Sequence, residues 1–124
     1  MTPEMKVSRI EEVPKFHAPN QNSRTASILA EEDGVVFGRA FYGKGMKAPF
    51  HSHQGEEYIH VIGGKGIFRT HKVEATAESG ATLRFEAGEE HELENRWDTP
   101  LEFIFVYSNP KDIEVLRDRW VSMN

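Results

Sequence analysis

Apolar residues along this chain fall in short runs of four to eight, rich in β-branched and aromatic side chains and punctuated by glycine at Gly34, Gly38, Gly43, Gly45, Gly55, Gly63, Gly64, Gly66, Gly80 and Gly88. That rhythm belongs to many short strands joined by tight turns. It predicts strands over Thr25–Ala30, Val35–Tyr42, Glu57–Ile62, Gly66–Thr70, Val73–Ala77, Thr82–Phe85, His91–Asn95 and Leu101–Tyr107. Glu32-Asp33-Gly34, Glu78-Ser79-Gly80 and Glu86-Ala87-Gly88 read as turns between them. One helix closes the pattern. Asn109 can cap it, Pro110 suits its first position and Asp112 complements its dipole. Ile113, Leu116 and Trp120 then share one face, which is expected to flank or lid the sheets. The first two dozen residues are less regular. Val7, Ile10 and Val13 suit an extra strand, or an arm that reaches a neighbouring subunit. The expected organisation is an N-terminal arm or edge strand over 1–24, a barrel over 25–108 and a C-terminal helix over 109–124.

Composition narrows the function. The 124 residues form one domain, long enough to bury about two thirds of the unfolded surface. Cysteine is absent, which excludes disulfides, thiolate metal sites and cysteine nucleophiles. Twenty acidic against fifteen basic residues give a net charge of −5, the opposite of a nucleic-acid binder's balance. The longest apolar run is too short to span a bilayer, and residues Met1–Lys6 lack the pattern of a signal peptide. The expected partner is a small molecule, and the expected compartment the cytoplasm.

The histidines carry the chemistry. His51 and His53 stand one residue apart, and in an extended segment such positions point to the same side. Glu57 follows four residues later, and a bend at Gln54-Gly55 would return it to that side. His91 opens a later strand. Imidazole nitrogens and a carboxylate suit a divalent first-row metal when three or more converge.

The spacing of these residues resembles that of the cupins. Their first motif is a glycine, five residues, His-x-His, a short spacer, Glu, six residues and a glycine; here it runs Gly45, His51, His53, Glu57, Gly64. Their second is a glycine, five residues, Pro-x-Gly, two residues, His, three residues and Asn; here it runs Gly80, Glu86, Gly88, His91, Asn95. The chain departs at Glu86 alone, where the family has a proline that fixes φ in a turn. The resemblance implies an all-β fold: a small antiparallel barrel of the RmlC-like type, also described as a double-stranded β-helix or jelly roll. It implies one divalent transition metal (Fe, Mn, Ni, Zn, Co or Cu) held by His51, His53, Glu57 and His91.

Other candidates carry blander readings. Glu56 faces away from Glu57 in a strand. His60 lies opposite Glu57 and suits packing or an interface. His71, beside Lys72 at a hairpin tip, and His17 read as surface residues. Seven glutamates and one arginine lie between Glu74 and Asn95. They suit a solvated outer face, or alternatively an electronegative rim that would disfavour anions. Arg39, Arg69 and Arg84 lie on strands, and one pointing inward could grip a carboxylate. Leu101–Tyr107 is apolar on both faces, which, with Tyr58 and Ile62, calls for cover by the helix or by a second subunit; a homodimer is expected.

The function expected is a metal-dependent small-molecule enzyme, with a dioxygenase-like reaction on an oxygenated substrate that chelates the metal, and with Glu57 also a candidate to shuttle a proton. The alternatives are a non-redox lyase, isomerase or cyclase using the metal as Lewis acid, and a non-catalytic binding protein.

Overall fold

The structure, a computed structural model, describes residues 4–124. Met1–Pro3, the start of the expected arm and of the segment read as lacking a leader, lie outside the described residues. The strands are β1 (Lys15–Ala18), β2 (Gln21–Glu32), β3 (Val35–Tyr42), β4 (Lys47–His51), β5 (Glu57–Gly63) and β6 (Lys65–Thr70). They continue with β7 (Glu74–Glu78), β8 (Thr82–Phe85), β9 (His91–Glu94) and β10 (Leu101–Tyr107). A 3-10 turn over Pro110–Ile113 leads into α1 (Glu114–Arg119), and β11 (Val121–Ser122) ends the pattern. Two antiparallel sheets result, ordered β11-β1-β2-β3-β10-β5-β8 and β4-β9-β6-β7. No helix among the described residues is long and apolar enough to cross a membrane.

Strict alternation builds the core. Glu57, Ile59 and Val61 of β5 face inward while Tyr58, His60 and Ile62 face out. Leu101, Phe103, Phe105 and Tyr107 do the same from β10. Ile59, Val61, Val36 and Leu101 are fully buried, each contributing about 1.5–3 kcal/mol by leaving water. Three alanines, Ala26, Ala40 and Ala48, sit where larger side chains would fill the barrel. The space they leave joins a cavity of about 540 Å³.

Two expectations are corrected at the ends of the chain. The helical segment stops at Arg119 instead of running to 124, because Val121–Ser122 extends to pair with β1 at His17 and Phe16. β1 is therefore flanked by β2 and β11 and is not an edge. Val7 and Ile10 form no strand and are exposed; Val13 alone of the three is buried. β4 was not marked by apolar alternation, since Pro49 interrupts it. Pro49 is tolerated because β4 is an edge strand. The register shifts between Ala48 and His51, and the irregularity sets His51 directly opposite His91.

Candidate metal centre

The fold brings His51, His53 and His91 together at one end of the cavity. One nitrogen from each lies within 4.8 Å of the others. His51 ends β4, His53 follows it in the loop, and His91 begins β9. Glu57, the first residue of β5, adds a carboxylate: its Oε1 is 3.2 Å from Nε2 of both His53 and His91.

The ring nitrogens behind the cluster decide what faces it. His51 Nδ1 lies 2.7 Å from the Pro49 carbonyl oxygen, and His91 Nδ1 lies 2.9 Å from that of Glu89. A carbonyl only accepts, so both Nδ1 atoms carry the proton and both neutral rings turn an Nε2 lone pair inward. His53 Nε2 is buried and, although close to Glu57, is not aligned for a hydrogen bond with any group. Asp112 stands behind His53 with Oδ1 4.0 Å from Nδ1. Its two oxygens accept from the Gln54 and Gly55 amides at 2.8 and 3.0 Å, which pins the loop carrying His53. Phe85 stacks flat on His91, centroids 4.0 Å apart, and Tyr107 packs on His53 at 4.7 Å.

Lone pairs and a carboxylate thus converge on one point, and that arrangement needs a positive charge at its centre. Three borderline nitrogens and one hard oxygen fit a divalent first-row ion and discriminate poorly among Fe, Mn, Co, Ni, Cu and Zn. Electrostatics agree. Burial alone would raise the Glu57 carboxyl, but a proton or cation shared with the imidazoles of His53 and His91 outweighs it and holds the group below the ordinary carboxylate range. Burial pushes the His51 imidazole down to about 4, against the opposing pull of the Pro49 carbonyl.

That shift has a consequence for the metal-free protein. The unfolded chain binds a proton at His51 near pH 6.5, while the folded chain resists it down to about 4. Stability is therefore expected to be complete above that window and to fall on acidification through it. Glu57, also depressed, prolongs the loss at lower pH. Thermal unfolding in the presence of a chelator, between about pH 7 and 4, checks this. A midpoint that stays level or rises on acidification would contradict it.

The remaining candidates lie elsewhere. Glu56 points outward to Arg84 at 2.6 Å. Arg39 pairs with Glu102, and Arg69 with Glu74, Glu92 and Glu94, so none of the three arginines faces the cavity. His60 bonds Thr82 on the outer face, His71 pairs with Glu90 at 3.0 Å, and His17 is held by the Ala18 carbonyl. None of the seven glutamates lines the cavity, so they form no rim around it. Sequence reasoning missed Asp112 as a partner of the histidine loop, and missed Arg24, Tyr42, Tyr107 and Trp120 as cavity lining. Inward alternation could have signalled the tyrosines; nothing local marks the others.

Comparison with known proteins agrees with this architecture. A family model described as the cupin domain matches residues 39–107. The chain belongs to the cupin family. It is 31% identical over 72 residues to an oxalate-binding protein of Thermotoga maritima; the match covers 57% of this chain and 60% of that protein. Among solved structures, an RmlC-like cupin from Shewanella frigidimarina superposes with a TM-score of 0.74 at 15% identity, covering 88% of this chain and 95% of that one. The polyketide cyclase RemF from Streptomyces resistomycificus superposes with a TM-score of 0.73 at 19% identity, covering 84% and 79%. At such identities these two likenesses concern the fold alone.

Proposed function

We propose that the chain is a metal-dependent enzyme acting on a small oxygenated molecule, with His51, His53, Glu57 and His91 holding one divalent transition metal and with a dioxygenase-like reaction at that centre. The observation that carries the reading is the inward-facing set of three imidazoles and one carboxylate at the end of a cavity of about 540 Å³. That volume suits a metabolite and excludes a macromolecule. A bound ion would supply Lewis acidity and, for iron or manganese, access to dioxygen chemistry.

The chain's own residues would do the rest. The Pro49 and Glu89 carbonyls fix the tautomers and aim of His51 and His91. Leu93, Phe103 and Phe105 exclude water from the reacting atoms. Burial raises the Tyr42 hydroxyl to about 12 and the Tyr107 hydroxyl well above its ordinary value, so both stay protonated, with Tyr42 and Tyr107 lining the cavity as donors to a substrate oxygen. Isomerase, lyase or cyclase chemistry needs a separate base. The carboxylates lining the cavity are Glu57 and Asp112, and both oxygens of Asp112 are engaged by backbone amides. This supports the oxygenase reading over the non-redox one.

A second reading, a non-catalytic binding protein, is favoured by the name of the Thermotoga relative. Oxygen uptake by ferrous-loaded, untagged protein, tested against diketones, flavonols and catechols, separates the two. Substrate-dependent uptake is expected. Tight binding without uptake, or purified protein holding no transition metal, would overturn the proposal. We further propose a homodimer through the outer face of β5, where Tyr58 and Ile62 are about 40% exposed. Sedimentation at the mass of a single 14.2 kDa chain would refute it.

A further inference from the structure

The end of the cavity away from the histidines has its own chemistry. Arg24 of β2 lines it, with its guanidinium 4.8 Å from the Trp120 ring and 5.5 Å from that of Tyr42. Nη1 donates to the Lys47 carbonyl at 2.7 Å. Nε is shut off from solvent and has no partner. No carboxylate pairs with Arg24 among the described residues, whereas Arg39, Arg69, Arg84, Arg96 and Arg117 each have one. With Nε sealed and Nη1 engaged, Nη2 makes no side-chain hydrogen bond among the described residues and is the nitrogen that an acceptor entering the cavity would meet. Lys111 and Arg119 are exposed on the same lining and add positive potential. Against them stand Glu57, in the histidine cluster, and Asp112, tied to two amides.

Two rulers give the separation of the ends. Along β10, Tyr107 packs on His53, and Phe103 packs on the Tyr42 ring beneath Arg24. Four residues of strand separate these contacts, about 13 Å. Along the helical segment, Asp112 supports the His53 loop and Trp120 covers Arg24. Eight residues at about 1.5 Å rise give about 12 Å. The wall between is aromatic, with Tyr42, Phe103, Phe105 and Tyr107 in steps of 5.5, 6.5 and 5.0 Å.

From this geometry we infer that Arg24 binds a carboxylate at the far end of the cavity, so that the substrate is an elongated acid with chelating oxygens at one end and an anionic carboxylate at the other. Nη2 offers a charge-assisted donor to a carboxylate oxygen, and the side chains projecting from both ends shorten the span to that of a small dicarboxylate. The inference rests on the proposed metal centre for the chelating end only; the Arg24 end is independent of it.

The test is calorimetric binding of 2-oxoglutarate, 2-oxoadipate and 2-oxopimelate to the cobalt-loaded full chain, each against its distal monomethyl ester. At least one diacid is expected to bind about tenfold or more tighter than its ester. Arg24→Gln should bring that ratio close to one with metal content unchanged, and Arg24→Lys should restore part of it. No preference for any diacid, or a ratio that survives Arg24→Gln, would overturn the inference. If the wild-type chain holds no metal, the same comparison is made on metal-free protein with glutarate, adipate and pimelate. A preference there that depends on Arg24 sustains this inference while the metal centre fails, and its absence sinks both.

Discussion

His91→Ala is expected to lower metal affinity by about 100-fold or more, judged against the 10–100-fold cost typical of losing a mere supporting partner. The side chain is 1% exposed, stacks on Phe85, and is held by the Glu89 carbonyl. No neighbour can supply a nitrogen in its place. Removal also strips Glu57 of one of its two imidazole contacts, leaving a buried carboxylate half supported. His91→Gln preserves most of the volume and separates loss of packing from loss of the donor. Competition against a chromogenic chelator measures the affinity. Undiminished binding in both variants would mean that the ion sits elsewhere, and the proposed centre would be wrong.

The largest effect on folding is expected from Gly64→Ala, at about 3 kcal/mol or more. Gly64 joins β5 to β6 with φ of +68°, a conformation that disfavours L side chains by about 1–2 kcal/mol. An added Cβ would also lie 2.1 Å from the Pro100 carbonyl oxygen. That oxygen belongs to backbone leading into β10, whose first residue, Leu101, is fully buried. Relief would require moving a core strand. Gly34 supplies the control, since it has φ of +80° but nothing within 4 Å of its Cβ position. Gly34→Ala should therefore show the conformational cost alone, about 1 kcal/mol. Thermal midpoints of the two variants check this. Gly64→Ala should melt about 10 °C or more below wild type, and equal midpoints for the two would refute the steric argument.

The barrel was legible in the sequence because its physics is local. Period-two alternation in Glu57–Ile62 set Ile59 and Val61 against Tyr58 and His60, and the structure keeps that division. The glycine-bounded turns at Gly34, Gly80 and Gly88 all take positive φ. The convergence of His51, His53 and His91 followed from strand geometry plus motif spacing. What stayed hidden depends on contacts distant along the chain. Trp120 has the spacing of a helical face, yet the helix ends before it because Val121–Ser122 pairs with β1. Asp112 reads as a charge suited to a helix start, and its actual role lies 57 residues away, on the amides of the histidine loop. Arg24 looks like any strand arginine until Trp120 is placed over it.

The C-terminal segment has a further consequence. It is fastened at both ends: Asp112 clasps the Gln54-Gly55 loop, and beyond Trp120 the backbone of Met123 and the side chain of Asn124 bond to Lys15 and Val13. A cover riveted at two points has no hinge. Ligand exchange should then proceed by rotation of rim side chains such as Lys111 and Arg119 on fast timescales, with the backbone of this segment fixed.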